Sequence, residues 1–230
     1  VARMAGASFL RGLSGATRMK ELWMGSDFRL GSDRLGRDTG LADVLAGMEC
    51  DLVVTERIQS GEEELSSSRI RTLLSEGDLD HANELLSYPF FIRNVIQHGA
   101  QIGTRIGIPT LNISFPEGKI RLPFGVYVTR TLLDGMQFES ITSIGVRPTF
   151  YEKSEVVIES YLFDVAVDAY EKQVEIDFFH MLRPEMKFAN SDELVVQIDA
   201  DIALARAYLA KLPKELAEMP CANALPYHCK

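Results

Sequence analysis

Apolar and polar residues alternate with a period of two over much of the stretch from about residue 90 to residue 180. The alternation is clear in residues 126–130, 156–163 and 174–179, where every second side chain shares one face of an extended strand. Glycine and aspartate turns separate these runs. The spacing predicts an antiparallel barrel or sandwich, and closing a barrel removes the exposed strand edges.

Helical signals precede this β region. Leu52–Val54 is a short β-branched run and a candidate parallel strand. Ser66 or Ser67 is placed to cap a helix, which Gly77-Asp78 ends. A second amphipathic helix follows, and Tyr88–Phe91 reads as a linker. Residues 1–86 are therefore expected to form a first domain of mixed helix and strand.

A third helix follows the β region. Asn190, with Glu193 three residues later, predicts its N-terminus. The residues of its apolar stripe are Leu194, Ile198, Ile202, Ala205 and Leu209. We expect an α+β protein, with residues 87–213 as a second domain and residues 214–230 as a C-terminal tail.

Residues 99–112, GAQIGTRIGIPTLN, are the candidate phosphate-binding segment. Glycines at this density let backbone amides come close to a ligand, and amides turned the same way form an anion-binding concavity. Pro109 favours an extended chain, in which Thr110 and Asn112 share one face and offer a hydroxyl and an amide to magnesium and phosphate. A glycine-rich hairpin turn is the alternative. The glycines are Gly99, Gly103 and Gly107.

Composition excludes several classes of function. The formal net charge is −9 without a basic block, which argues against a nucleic-acid partner. No apolar run approaches the roughly 18 residues of a membrane span, and no signal peptide is visible. Cys50, Cys221 and Cys229 suggest neither a disulfide framework nor a zinc site. We expect a cytoplasmic protein with no nucleic-acid and no membrane partner.

Five segments, in order, resemble motifs of the riboflavin kinases. The glycine segment with Pro109-Thr110-Leu111-Asn112 resembles the family's glycine-rich segment and PTAN motif, with leucine where alanine is usual. The other four are PFGVYV (123–128), SIGVRPTF (143–150), VIESYLFDV (157–165) and LRPEMKF (182–188), which a helix follows. The resemblance covers roughly residues 87–207.

The resemblance implies a Greek-key antiparallel β-barrel with a C-terminal helix. It also implies an enzyme that uses ATP and Mg²⁺ to phosphorylate riboflavin, giving FMN. By match to the family motif, Thr110 and Asn112 are the expected metal contacts. The expected nucleotide- and phosphate-binding residues are Gly99, Gly103, Arg105, Gly107, Pro109, Thr110 and Asn112.

Glu159 is the expected general base. The pattern alone also allows a solvent-facing carboxylate, but VIESYLFDV resembles the strand that carries the catalytic glutamate of these kinases. Tyr161 stands where many members have histidine. Arg147 is expected on the flavin side of the site, although both it and Arg105 could be surface arginines. Asp164, five residues after Glu159, is a weaker candidate because it points to the opposite face.

Two upstream segments resemble the adenylyltransferase domain of the bacterial bifunctional riboflavin kinase/FMN adenylyltransferases. They are LWMGSDFRLGSDRLG (22–36) and SSSRIRTLL (66–74). In that family the domain is an α/β nucleotidyltransferase whose HxGH motif grips ATP, and no histidine of this chain belongs to an HxGH. We expect the chain to begin partway into this domain, by truncation, processing or a mis-set start. The expected remnants of that site are Gly25, Asp27, Phe28, Ser67, Arg69 and Arg71.

Three functions remain open from the sequence. The first is a riboflavin kinase that makes FMN from riboflavin and ATP. The second is a fragment of the bifunctional enzyme, whose missing residues would restore FAD synthesis. The third is a flavin-binding or regulatory protein without turnover, because a fold does not fix a function. Sheet edges left open by missing strands would permit self-association.

Overall fold

The structure, a computed structural model, describes residues 3–36, 39–55, 59–60, 63–99, 103, 107–147, 155–165, 167 and 169–212. The chain packs into two compact units, Val1–Leu65 and Ser66–Lys230. Within the described ranges, every helix lacks either the length or the apolar character that a membrane crossing requires.

In the described residues of the first unit, two helices and one parallel pair of strands surround an apolar core, and a short second pair of strands follows. β1 and β2 run in parallel, which confirms the strand predicted at Leu52–Val54. Further along, β3 and β4 form a short antiparallel pair. The elements are α1 (Gly6–Thr17), β1 (Glu21–Gly25), α2 (Leu41–Ala46), β2 (Asp51–Thr55), β3 (Gln59–Ser60) and β4 (Glu63–Glu64). The core residues are Leu10, Met24, Leu35, Leu41, Leu45 and Cys50.

The second unit begins with two capped helices, α3 (Ser67–Glu76) and α4 (Leu79–Leu86). Ser66 is the N-cap of α3, and its side chain accepts a hydrogen bond from the Arg69 N–H at 3.1 Å. Gly77 ends α3 with φ of 83°, a conformation that glycine adopts without strain. Both boundaries agree with the sequence prediction.

Hydrogen bonds from the side chain of Asn83 in α4 connect the two helices to the sheet, which is why both helices belong to the second unit. Its buried side-chain amide donates to the Phe178 carbonyl at 2.8 Å and accepts from the Phe90 N–H at 2.7 Å. These two bonds fasten α4 to two strands of the sheet. The predicted linker is wrong at Phe90 and Phe91, which are already strand residues and pair with Phe178 and Asp177. The family-domain boundary at residues 86 and 87 stays a prediction, and the predicted tail lies outside the described residues.

Six antiparallel strands form a curled sheet in the order β5-β10-β7-β8-β9-β6. The two edge strands approach each other where the Gln97 N–H donates to the Asn112 carbonyl at 2.8 Å. This curled sheet with the helices confirms the predicted α+β class. The strands are β5 (Phe90–Val95), β6 (Leu111–Ser114), β7 (Gly125–Leu133), β8 (Met136–Arg147), β9 (Glu155–Leu162) and β10 (Gln173–Pro184).

The inner face of the sheet holds a closed ring of five buried hydroxyl groups, which we call the hydroxyl ring. Its members come from β7, β8 and β9, and each is fully buried. Each hydroxyl is hydrogen-bonded to two others, at distances of 2.8–3.0 Å. In order around the ring, the residues are Thr129, Ser140, Thr131, Ser160 and Thr142.

The last helix, α5 (Ser191–Leu209), covers part of the outer face of the sheet. Asn190 caps it by accepting from the Glu193 N–H at 2.9 Å, as predicted. Four of the five stripe residues pack on the outer apolar cluster of Val126, Val128, Ile141, Phe163 and Phe179. Arg183 at the end of β10 forms a buried ion pair with Asp201, at 2.8 Å.

Candidate active site

A row of polar residues crosses the outer face of the sheet, and we call it the outer-face row. Glu159 in β9 has Asn112 of β6 and Ser143 of β8 as its Cα partners. Partners in an antiparallel pair share a face, with Cβ atoms about 4.5–5.5 Å apart. Ser160, the next residue of β9, belongs to the hydroxyl ring on the inner face. The half-buried Glu159 side chain therefore stands between an amide and a hydroxyl.

Asn112 is held in place by Thr110. Its Nδ2 donates to the Thr110 carbonyl at 3.2 Å and lies 3.4 Å from the Thr110 Oγ1. Asn112 is only 9% exposed. The hydroxyl of Thr110, the amide of Asn112 and the carboxylate of Glu159 are thus neighbours along the sheet.

Gly99, the first residue of the glycine segment, lies against the same amide. A Cβ atom on Gly99 would overlap the Asn112 side chain, and one on Gly103 would overlap the Ile108 carbonyl oxygen. The Ile108 N–H donates to the Gly103 carbonyl at 2.8 Å. Gly107 has φ of 81°, which favours glycine. The close approach of the backbone at Gly99 to Asn112 therefore depends on a residue without a side chain.

The two arginines predicted at the site have different outcomes. Arg105 lies outside the described residues. Arg147 is the last residue of β8, and its Cα partner in the neighbouring strand β9 is Glu155. Arg147 is four residues beyond Ser143, which separates the two Cα atoms by about 13 Å along the strand. The role of either arginine stays a prediction.

Asp164, the weaker candidate base, is not part of the outer-face row. It lies in the turn after β9 with φ of 59° and forms an exposed ion pair with Arg206 at 2.6 Å. Its carboxylate is thus paired with an arginine in a turn, and its role stays a prediction.

The expected remnants of an adenylyltransferase site fall in both units. Gly25 ends β1, and the Phe28 N–H donates to its carbonyl at 3.1 Å, so that Asp27 lies in a turn. Ser67, Arg69 and Arg71 lie at the beginning of α3, in the second unit.

Within the second unit, Ser67 and Arg71 line an open cleft of about 400 Å³. Tyr88, Phe91 and Lys119 contribute to its walls. The Lys119 ammonium lies 4.1 Å from the centroid of the Phe91 ring, and burial lowers the pKa of Lys119. The residues that line this cleft are separate from those of the outer-face row.

Ser143 is the site residue that the sequence analysis missed. It opens the SIGVRPTF motif, but only the register of β8 against β9 brings it beside Glu159. Across the part of the chain that the structure describes, no group of three or more His, Cys, Asp or Glu side chains could hold a metal ion.

The outer-face row has the chemical groups that phosphoryl transfer requires. A carboxylate can take a proton from an attacking hydroxyl. Hydroxyl and amide oxygens suit magnesium, which keeps most of its water and takes few protein ligands. A glycine-rich backbone beside them can hold phosphate oxygens. The outer-face row therefore carries the set of chemical groups that phosphotransferases use.

The chain belongs to the riboflavin kinase family, because the flavokinase family model matches residues 86–209, more than half of its length. It is 35% identical over 192 residues to the bifunctional riboflavin kinase/FMN adenylyltransferase of Bacillus subtilis (strain 168), covering 83% of this chain and 60% of that protein. Against the protein of the same name from Escherichia coli (strain K12), identity is 34% over 194 residues, covering 83% and 61%. The chain thus spans about three fifths of these relatives.

Among solved structures, the chain resembles the crystal structure of a macrolide-efflux protein from Streptococcus pneumoniae. The TM-score is 0.78 and the sequence identity is 27%, and the match covers 89% of this chain and 66% of the other. The likeness supports the fold. The efflux name belongs to that protein and is not transferred to this chain.

Proposed function

We propose that this chain is an ATP-dependent riboflavin kinase, which transfers the γ-phosphoryl group of ATP to the 5′-hydroxyl of the ribityl chain and releases FMN and ADP. The observation that carries the proposal is the outer-face row, with Gly99 packed against its Asn112, in a chain of the riboflavin kinase family. Because the chain spans only part of its bifunctional relatives, its activity and substrates are our inference.

Glu159 is the general base in this proposal. The ribityl oxygen forms a bond to the γ-phosphorus as the bond from that phosphorus to the ADP oxygen breaks, and the hydroxyl proton passes to the Glu159 carboxylate. Help of this kind contributes roughly 10²- to 10⁴-fold to the rate. Alignment of the two substrates and neutralisation of charge supply most of the remainder.

Thr110 and Asn112 are the residues that would hold Mg²⁺. The hydroxyl of Thr110 and the side-chain amide of Asn112 supply oxygen atoms of the kind that suits a hard cation, and the Asn112 Nδ2 is held next to Thr110 by its hydrogen bond to the Thr110 carbonyl. When bound, the ion neutralises charge on the β- and γ-phosphates. The glycine segment, from Gly99 to Gly107, would bring backbone amides to the phosphates.

Two further assignments rest on the family resemblance. Arg105 would contact a phosphate, and Arg147 would contact the flavin. We also propose that riboflavin and ATP are the partners and that the protein works in the cytoplasm, without nucleic acid or membrane.

The test is incubation of the purified chain with riboflavin, ATP and Mg²⁺, followed by chromatography for FMN. FMN that accumulates with time and depends on all three reactants is the expected result. A folded protein that binds riboflavin but forms no FMN would overturn the kinase proposal and favour a flavin-binding protein without turnover.

A further inference from the structure

A second carboxylate stands on the same face of the sheet as Glu159. Gly145 is two residues after Ser143 in β8, so the missing side chain of Gly145 would point to the face of the outer-face row. A Cβ atom built there would lie 2.8 Å from the Oε1 atom of Glu185. The Glu185 carboxylate therefore occupies the space that any other residue at position 145 would fill.

Glu185 directly follows β10, and the course of the chain there places its side chain next to Gly145. Pro184 is the last residue of β10 and pairs with Gly125 of β7. The Glu185 N–H then donates to the Phe124 carbonyl at 3.3 Å, which anchors the backbone just beyond the strand. The side chain reaches past the beginning of β7 to β8. Gly145 is a diagonal neighbour of Glu159, and such neighbours are about 7–8 Å apart.

The structure gives the Glu185 carboxylate no structural task. Its side chain is exposed, and it makes no hydrogen bond or ion pair with any residue that the structure describes. By contrast, Arg183, two residues earlier, is committed to Asp201. A carboxylate with acceptor oxygens available, fixed at the edge of a row of polar residues, can receive donors from a ligand.

The two sides of Glu159 differ in charge. On the β6 side lie Asn112, Thr110 and the glycine segment, where an anion can be held. On the β8 side lie Ser143 and the carboxylate of Glu185. A second carboxylate repels phosphate, so the nucleotide belongs on the β6 side and the acceptor on the β8 side. The acceptor carries several hydroxyl groups, each a hydrogen-bond donor, and hydrogen bonds to a charged acceptor are stronger than neutral ones.

We propose that Glu185 binds hydroxyl groups of the polyol chain of the acceptor and so makes the enzyme selective for a flavin that carries one. This inference rests on the proposed kinase function of the same site. Glu185 is a substrate-binding residue here, while Glu159 takes the proton. Gly145 provides the space in which the Glu185 carboxylate stands.

The experiment compares the unmodified chain with Glu185→Gln, Gly145→Ala and the double variant. Glu117→Gln, an exposed carboxylate in the loop between β6 and β7, is the matched control. Steady-state kinetics give kcat and KM for riboflavin. Fluorescence titration gives the affinities for riboflavin and for lumiflavin, which has the same rings but a methyl group in place of the ribityl chain.

Glu185→Gln should raise the KM for riboflavin about 10-fold and leave kcat within about 3-fold, since a neutral amide is the weaker acceptor. The preference for riboflavin over lumiflavin should fall by a similar factor. Gly145→Ala should do the same by displacing the carboxylate. It should have little further effect once Glu185 is replaced, because the two changes act on one interaction. Glu117→Gln should change neither quantity.

Two results would overturn the inference. One is an unchanged preference for riboflavin over lumiflavin in Glu185→Gln. The other is a large fall in kcat at constant KM, which would give Glu185 a part in the chemical step. If the unmodified chain makes no FMN, the kinase proposal fails, whereas the flavin titrations still decide whether Glu185 recognises the polyol chain.

Discussion

The Glu159 side chain points to the outer face of the sheet, whereas the side chains of the residues before and after it point to the inner face. Ile158 and Ser160 on either side of it are fully buried, so β9 cannot rotate without burying the carboxylate. We expect Glu159→Gln to lower kcat by roughly 10²-fold or more and to leave flavin binding almost unchanged, because the amide keeps the shape but cannot take the proton. Single-turnover kinetics and flavin titration measure the two quantities.

The control for this change is again Glu117→Gln, which removes a carboxylate from an exposed loop. Full turnover in Glu159→Gln would contradict the assignment and return Glu159 to the role of a solvent-facing carboxylate.

Thr110 offers a second test at the residue scale. Thr110→Val keeps the branched shape and removes the hydroxyl, whereas Thr110→Ser keeps the hydroxyl. If Thr110 is a metal contact, the valine variant should need much more magnesium for half-maximal rate and bind ATP more weakly, and the serine variant should stay near the original. Superimposable magnesium titrations for the valine variant and the unmodified chain would make Thr110 a strand residue only.

At the scale of elements, residues that act over a short stretch of sequence predicted where helices begin and end. They did not predict which strands lie side by side in the sheet. Ser66, Gly77 and Asn190 were readable because each bonds or turns within a few residues of itself. The place of β10 between β5 and β7 depends on pairing between strands that are far apart along the chain. Ser143 joined the site for the same reason, because its partner Glu159 is fixed only by register.

β10 also buries two carboxylates on its outer face, Glu175 and Asp177, which are 3% and 7% exposed. Glu175 is paired with Arg93. Burial first, and then the charge of Glu175, raise the pKa of Asp177 to about 7. In the unfolded chain the pKa is near 3.8. The folded state therefore binds more protons than the unfolded state between these two values, and its stability falls as the pH rises through 7.

Asp177→Asn should consequently stabilise the protein at pH 8 and have little effect at pH 4, because asparagine resembles the protonated acid. The expected gain in the free energy of unfolding at pH 8 is about 2 kcal/mol. Urea denaturation at the two pH values measures it. Asp199→Asn, in an exposed position of α5, is the control. An equal effect of Asp177→Asn at both pH values would show that its carboxyl does not titrate in this range.

At the scale of the whole molecule, the family resemblance and the compact units give different accounts of residues 66–86. The resemblance assigns α3 to an adenylyltransferase domain. The packing of the chain instead places both α3 and α4 in the second unit, together with the curled sheet. Sequence motifs reflect the ancestry of a segment, whereas compact units reflect how the segment packs. The boundary implied by the motifs therefore need not coincide with the boundary between the compact units. The Asn83 bonds to β5 and β10 could not be foreseen from the sequence, because their partners are up to 95 residues away.

We expect this chain alone to form no FAD from FMN, ATP and Mg²⁺. Adenylyl transfer needs donors around the α-phosphate, where charge develops in the transition state. In the family these donors come largely from the HxGH motif, which the 230 residues do not contain. The start of α3 could supply only part of such a site.

Chromatography for FAD after long incubation tests this expectation. FMN formation from riboflavin in the same preparation is the control for a working protein. Steady FAD production above a blank without enzyme would contradict it and make Gly25, Asp27, Phe28 and the α3 residues a working site.

The hydroxyl ring on the inner face of the curled sheet limits the order in which substitutions can accumulate in this sequence. Replacing one of its hydroxyls by an aliphatic group leaves polar neighbours unpaired in a place without water, at about 1–3 kcal/mol. Replacing all five together removes the unpaired groups and is close to neutral. A lineage can thus exchange a polar interior for an apolar one only through several less stable ancestors. Sister sequences should carry nearly the whole ring or almost none of it.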